Sequence, residues 1–165
     1  MKKLATGLLS LSLTLGLTTA VFADSTPQED TQVQVTSEQE NVISPMAVYY
    51  DQEPNHSIYT ASPFGVPGSV SGRTNYTDDK EDFYKITPSQ SGTLIVRLSP
   101  IDKDTDFGIN LYNSYGNKLK NIDDGNEGAE EVVLYDVQAG QTYYVEVRHL
   151  FNYGGGRYLL TSSLN

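Results

Sequence analysis

From Tyr49 onward, apolar and polar residues alternate in short runs that are broken every few residues by clusters of Gly, Pro, Asn and Asp, and this rhythm limits the chain to β-structure. Leu94, Val96 and Leu98 alternate with Ile95, Arg97 and Ser99; Tyr143, Val145 and Val147 alternate with Tyr144, Glu146 and Arg148; Val133, Tyr135 and Val137 alternate with Val132, Leu134 and Asp136. A period of two places one set on a buried face and the other on the outside. Strands are expected at Gly68 to Arg73, Asp82 to Thr87, Thr93 to Ser99, Asp106 to Asn113, Glu131 to Val137, Thr142 to Arg148 and Gly156 to Ser163. The connectors at 88–92, 114–117, 123–128, 139–141 and 152–156 hold residues suited to tight turns. No long segment has helical periodicity. The expected fold is an all-β, antiparallel sandwich of about seven to nine short strands.

The first residues differ. Met1-Lys2-Lys3, an apolar stretch from Leu4 to Leu17 and the ending Val21-Phe22-Ala23 have the form of a secretory signal, so residues 1–23 are expected to be removed and the product to be extracellular. The apolar stretch is too short to span a bilayer comfortably, and no membrane anchor is expected. Residues 24–50 form a polar, acidic segment read as a flexible leader or linker; a solvated spacer, a cleaved propeptide and a docking strand all fit it. The sandwich is placed at 51–165, a length suited to one core. A monomer is expected.

The full chain has 11 Lys and Arg against 21 Asp and Glu, a net charge of −10. Loss of Lys2 and Lys3 with the signal leaves 9 against 21, or −12. Such a charge repels nucleic acid and anionic lipid. It attracts calcium, which extracellular media supply at concentrations suited to weak oxygen-rich sites. There is no cysteine, so disulfides, thiolate metal sites and cysteine nucleophiles are excluded.

Asp51, Glu53 and Asn55 occupy every second position, which aims three oxygen-bearing side chains to one side of an extended segment. Calcium takes six to eight oxygens, so further donors must come from elsewhere, and Asp79 and Asp82 before and within the Phe83-Tyr84-Lys85-Ile86 strand are the natural source. Asp78 and Glu81 are the neighbours most easily confused with them. The run Asp102 to Asp106 imitates an EF-hand start but has Phe107 and Asn113 where Gly and Glu are required, so it reads as a solvated turn, with Asp106 bonding the backbone at the start of its strand.

For catalysis, only His56 and His149 could serve a triad or a His-rich zinc site, and neither has a supporting motif. No enzyme activity is expected and no catalytic residue is assigned. Binding is the alternative role. All twelve tyrosines lie at or beyond Tyr49; Tyr84, Tyr135 and Tyr158, with Tyr143 or Tyr144, are assigned to the core, whereas Tyr112, Tyr115 and Tyr153 lie in or beside loops. Tyr112, Tyr115, Arg148, Phe151 and Tyr153 are the candidate ligand contacts.

The ordered landmarks Glu53-Pro54-Asn55, Gly68-Ser69-Val70-Ser71-Gly72, Asp79 to Ile86, Asp106 to Tyr112, Ala139 to Val147 and Gly155 to Leu160 resemble the bacterial pre-peptidase C-terminal domain, a family that includes the collagen-binding domains of clostridial collagenases. The resemblance implies a jelly-roll-like sandwich, a calcium site where the N-terminal segment meets the first strands, and Ser69 as one further ligand beside Asp51, Glu53, Asn55, Asp79 and Asp82. It also implies aromatic contacts to collagen on the late strands, a set that Arg148-His149-Leu150-Phe151-Asn152-Tyr153 reproduces only in part. His56 departs from the pattern, because the collagenase modules carry an acid there and imidazole is a poor partner for calcium. The expected function is a secreted, calcium-stabilised, non-catalytic binding module for an extracellular protein or polymer, collagen-like or cell-wall material. The alternative is a secreted partner or inhibitor of an extracellular peptidase, acting through residues 24–48.

Overall fold

Two facing five-stranded sheets make up the computed structural model, which describes residues 46–151 and 154–165, all within the compact unit 41–165. The ten strands among the described residues are β1 (Ala47–Tyr50), β2 (Ser62–Pro63), β3 (Gly68–Thr74), β4 (Glu81–Ile86), β5 (Gly92–Pro100), β6 (Asp106–Asn113), β7 (Lys118–Ile122), β8 (Glu131–Val137), β9 (Tyr143–Phe151) and β10 (Gly156–Leu164). One sheet runs β1-β3-β10-β5-β8 and the other β2-β4-β9-β6-β7. The signal and residues 24–45 of the expected leader lie outside the described residues.

The seven strands expected from alternation appear with bounds that shift by a residue or a few at most. Three others carry little alternation. Two-residue β2 is too short to show a period, and β7, Lys-Leu-Lys-Asn-Ile, is an edge strand with only Leu119 and Ile122 packed inward. Strand β1 comes from the end of the segment read as leader and pairs with β3 from Ala47↔Gly68 to Tyr50↔Ser71. Both β1–β3 and β2–β4 pair in parallel, each at a sheet edge, within an otherwise antiparallel fold.

The alternating residues meet between the sheets. Val70, Leu94, Val96, Leu98, Val133 and Leu160 from one sheet face Tyr84, Ile86, Ile109, Leu111, Val145 and Val147 from the other, all essentially buried. Each such side chain contributes about 1.5–3 kcal/mol relative to exposure. Phe107 packs edge-on against Tyr158 with ring centres 5.5 Å apart, and Phe64 leans on Tyr84 at 5.8 Å. Of the adjacent pair Tyr143 and Tyr144, the first is the core residue.

At the end of the sandwich where β3 finishes and β4 begins, the core becomes polar. Tyr84 and Tyr158 are fully buried but bring hydroxyls, and β3 makes room for one of them with a glycine: a Cβ on Gly72 would overlap the Tyr158 hydroxyl and ring. Gly72→Ala should therefore force the Tyr158 side chain aside and destabilise the domain by about 1–3 kcal/mol. Urea unfolding of the two proteins side by side measures this, and equal midpoints would contradict the packing described.

Candidate metal centre

Local hydrogen bonds bring three segments together at this polar end. The extended stretch after β1 is fastened to β2 by Ser62, whose Oγ donates to the Gln52 carbonyl at 2.8 Å, and to β4 by the Phe83 amide, which donates to the Asn55 carbonyl at 2.8 Å. The stretch between β3 and β4 folds back on itself. Asn75 Oδ1 accepts from the amides of Thr77 and Asp78 and from the Thr77 hydroxyl, and the Asn75 amide donates to the Asp79 carbonyl at 2.7 Å. An Asn side chain that mimics a backbone turn in this way is a common loop former. It delivers Asp79 beside the start of β4, where Asp82 points inward.

The result is a four-residue cluster: Glu53, His56, Asp79 and Asp82 each present one ligand atom, and these atoms all lie within 4.8 Å of one another. His56 Nδ1 is 3.2 Å from Asp79 Oδ1 and its Nε2 is 3.8 Å from Glu53 Oε2. Glu53 Oε2 also accepts from the Asn55 amide at 3.0 Å. Glu53 and His56 are exposed to solvent, Asp79 is half-buried, and Asp82 is completely buried. A shallow groove of about 400 Å³, lined by Glu53, Pro54, His56, Asn75, Asp78 and Asp79, opens the cluster to solvent.

Asp51 and Asn55 stand behind this front row. Asn55, fully buried, donates from Nδ2 to Asp51 Oδ1 at 2.8 Å, and the Tyr84 hydroxyl donates to the same oxygen at 2.8 Å. The two tyrosine hydroxyls touch at 2.6 Å, and the Tyr158 hydroxyl reaches Asp82 Oδ2. A polar chain thus runs from Asp51 through Tyr84 and Tyr158 to Asp82. With both carboxylates ionised, two hydroxyl protons serve three contacts. A proton on Asp82 would complete the chain, each hydroxyl then donating toward Asp51.

The electrostatics agree with that count. Burial, reinforced by the charges of Asp51, Asp79 and Glu53 and opposed by the Tyr158 hydrogen bond, pushes the Asp82 carboxyl up to about 8. Asp79 is also raised, by burial and by Glu53, with His56 acting in the opposite direction. Burial likewise holds the Tyr84 and Tyr158 hydroxyls well above the ordinary tyrosine range, with nearby Asp82 and Asp51 adding to it. Three buried oxygens, Asn55 Oδ1, Asp79 Oδ1 and Asp82 Oδ1, have no hydrogen-bond donor, although His56 Nδ1 approaches that of Asp79. Buried acceptors without donors are costly, and crowded carboxylates raise one another's affinity for a positive charge. The donors fit a divalent cation: ligands at about 2.3–2.6 Å from a calcium ion stand up to about 5 Å apart across it.

Of the residues expected as ligands, Glu53, Asp79 and Asp82 enter the cluster and Asp51 and Asn55 adjoin it. Ser69 stands apart: it sits near the start of β3, half-exposed, on the face opposite Val70 and Gly72, which point to the core. Asp78 points to solvent and Glu81 lies on the outer side of its sheet near Glu146 and Arg148. His56 escapes sequence reasoning as a partner because the sequence speaks only of its unsuitability for calcium; its place three residues after Glu53 is the available signal.

The expected ligand contacts divide. Tyr115, at the β6–β7 turn, and Phe151, at the end of β9, are exposed. Tyr112, next to the end of β6, is half-buried against Phe83, its hydroxyl donating to Glu146 at 2.6 Å. Arg148 is half-buried on β9, its guanidinium against Gly108. Tyr153 lies outside the described residues. Asp102 grips Arg157 through both oxygens, at 2.7 and 3.1 Å, as a turn anchor. Asp106 Oδ1, expected to bond the backbone, is buried with no hydrogen-bond partner.

With this geometry in place, known proteins offer a comparison. The sequence profile of the bacterial pre-peptidase C-terminal domain matches residues 80–149. The pre-peptidase C-terminal domain of a collagenase from Bacillus anthracis aligns with TM-score 0.53 and 15% identity over 68% of this chain and 99% of that one. The sandwich is a pre-peptidase C-terminal fold. A mitogen from Yersinia pseudotuberculosis (TM-score 0.41, 11% identity, 59% of this chain and 84% of that one) and a periplasmic inhibitor of g-type lysozyme from Aeromonas hydrophila (0.39, 10%, 64% and 99%) align more loosely. No curated protein matches the chain.

The raised Asp82 carboxyl gives a signed expectation for the pre-peptidase C-terminal fold without metal. Its folded value, about 8, lies above the ordinary 3.8, so the folded state holds a proton that the unfolded state releases. The stability from that proton is complete below about pH 4 and is lost as pH rises toward 8, with a limiting slope of about 1.4 kcal/mol per pH unit. Thermal melts in chelator across that range should show the decline, after subtraction of the same series for Asp82→Asn. Superimposable series would contradict it.

Proposed function

We propose that this chain acts outside the cytoplasm as a calcium-stabilised, non-catalytic binding module for an extracellular protein or polymer. The observation that carries the reading is the convergence of Glu53, Asp79 and Asp82 around buried oxygens that lack donors. Glu53, Asp79 and Asp82 would hold the ion, with Asn55 and Asp51 behind them. Bound calcium would neutralise the acids and tie the segment after β1 to the loop before β4, so that two edges of the sandwich are fixed by one ion.

A non-catalytic role is supported by the setting of the two histidines. His149 Nδ1 is 2.8 Å from Thr74 Oγ1, and both residues are buried, which closes that pair to a substrate. His56 has carboxylates beside it and no hydroxyl nucleophile among the described contacts. Secretion is supported by the sequence of residues 1–23, and binding by the exposed rings of Tyr115 and Phe151.

Calcium at about 100 times its dissociation constant should add roughly 2.7 kcal/mol, because it binds the folded state alone. Asp82→Asn keeps an acceptor for Tyr158 while removing the charge, and should abolish most of that gain. Differential scanning calorimetry with calcium and with chelator reads both; an unchanged melting temperature on chelation of the original protein would remove the basis of the proposal. For the ligand, a pull-down from extracellular matrix and from bacterial cell wall should retain the chain through Tyr115 or Phe151, which stand at opposite ends of the β6–β9 pair. Tyr115→Ala or Phe151→Ala, made singly, should lower retention several-fold at unaltered melting temperature, and the one that does marks the contacting end. Equal retention by both variants would contradict these contacts.

A further inference from the structure

The imidazole within the cluster sets it apart from an all-oxygen calcium cage. His56 lies between two carboxylates, with Nδ1 3.2 Å from Asp79 Oδ1 and Nε2 3.8 Å from Glu53 Oε2, and both His56 and Glu53 face the solvent groove. Behind them, fully buried Asp82 and Asn55 each carry a side-chain oxygen with no donor. The site therefore combines a nitrogen donor, three carboxylates and an open approach.

We infer that the cluster also takes a first-row transition ion of the zinc type, in preference to calcium, with His56 as the donor that discriminates between them. This rests on the cation site proposed above. Calcium accepts oxygen donors, whereas zinc is held by His nitrogen and carboxylate oxygen together, commonly with four ligands. Two donors bound to one tetrahedral zinc ion at about 2.0–2.2 Å stand roughly 3.4 Å apart. The 3.2 Å separation between His56 Nδ1 and Asp79 Oδ1 is close to such an edge. Asp82 and Glu53, within 4.8 Å of both, supply the remaining donors after small side-chain adjustments. Imidazole suits zinc, whereas carboxylate, carbonyl and water oxygens suit calcium, so His56 is the one donor of the cluster that favours the transition ion over calcium.

Calorimetric titration of the purified chain with zinc chloride and separately with calcium chloride tests this, alongside His56→Gln and Asp82→Asn. Zinc should bind at least about tenfold more tightly than calcium, and His56→Gln should erase that margin while leaving calcium affinity within about threefold. The visible absorption of bound cobalt, used as a zinc substitute, should be intense for the original chain and weak for His56→Gln. If calcium binds and zinc binds no more tightly, or if His56→Gln leaves zinc affinity and the cobalt spectrum unchanged, the inference is wrong while the calcium site stands. If neither ion binds and Asp82→Asn changes nothing, both fail.

Discussion

Asp82 projects from β4 into the interior with no exposure to water, and Asp51, Asp79 and Glu53 all stand close enough to oppose its charge. A carboxylate in that position is tolerable only as the protonated acid or beside a cation. Much of the surrounding structure is arranged around this constraint. Gly72 gives up a side chain to admit the Tyr158 hydroxyl, Tyr158 and Tyr84 extend the hydrogen-bonded chain to Asp51, and the Asn75 turn brings Asp79 up from the loop. Packing of the aliphatic residues forms the sandwich, whereas the Asp82 charge accounts for its polar end.

The same constraint joins elements that pairing alone would hold weakly. Strand β1 is a four-residue edge strand with Val48 and Tyr50 exposed, and β2 has two residues. Short edge strands contribute few ladder bonds and depend on how the adjoining chain is held. Asp51 and Glu53 come directly after β1, and Asp79 lies in the loop that enters β4, the pairing partner of β2. An ion shared between these segments would cross-link both edges, a structural use separate from any ligand that the proposed metal would have.

Sandwich architecture is legible in the sequence because the long strands obey a two-residue period with Val, Leu, Ile and Tyr on the inner face. Strands β1, β2 and β7 are not: β1 turns one residue inward, β2 has two residues in all, and the inward Leu119 and Ile122 of β7 are three positions apart, so none shows a period of two. The acids of the cluster can be named from the spacing of Asp51, Glu53 and Asn55 and from the loop before β4, whereas Ser69, assigned by resemblance, lies on the outer face of β3. The atoms between those acids cannot be named in that way: that Asp51 reaches Asp82 through two tyrosine hydroxyls depends on Tyr84 and Tyr158 meeting across the two sheets, 74 residues apart in sequence. Periodicity places both tyrosines in the core correctly, because it sees the ring and is blind to the hydroxyl. His56 illustrates the converse: its chemistry argues against calcium, and only the fold shows that it nevertheless sits among the acids.

A cation shared by the segment after β1 and the loop leading into β4 can be located directly. Diffraction from crystals soaked in a calcium-mimicking lanthanide finds such an ion by its anomalous signal, independently of stability or affinity. The expected result is a single strong peak within coordination distance of Glu53, Asp79 and Asp82. A peak only elsewhere on the acidic surface, or none at this cluster at full soak, would contradict the shared ion.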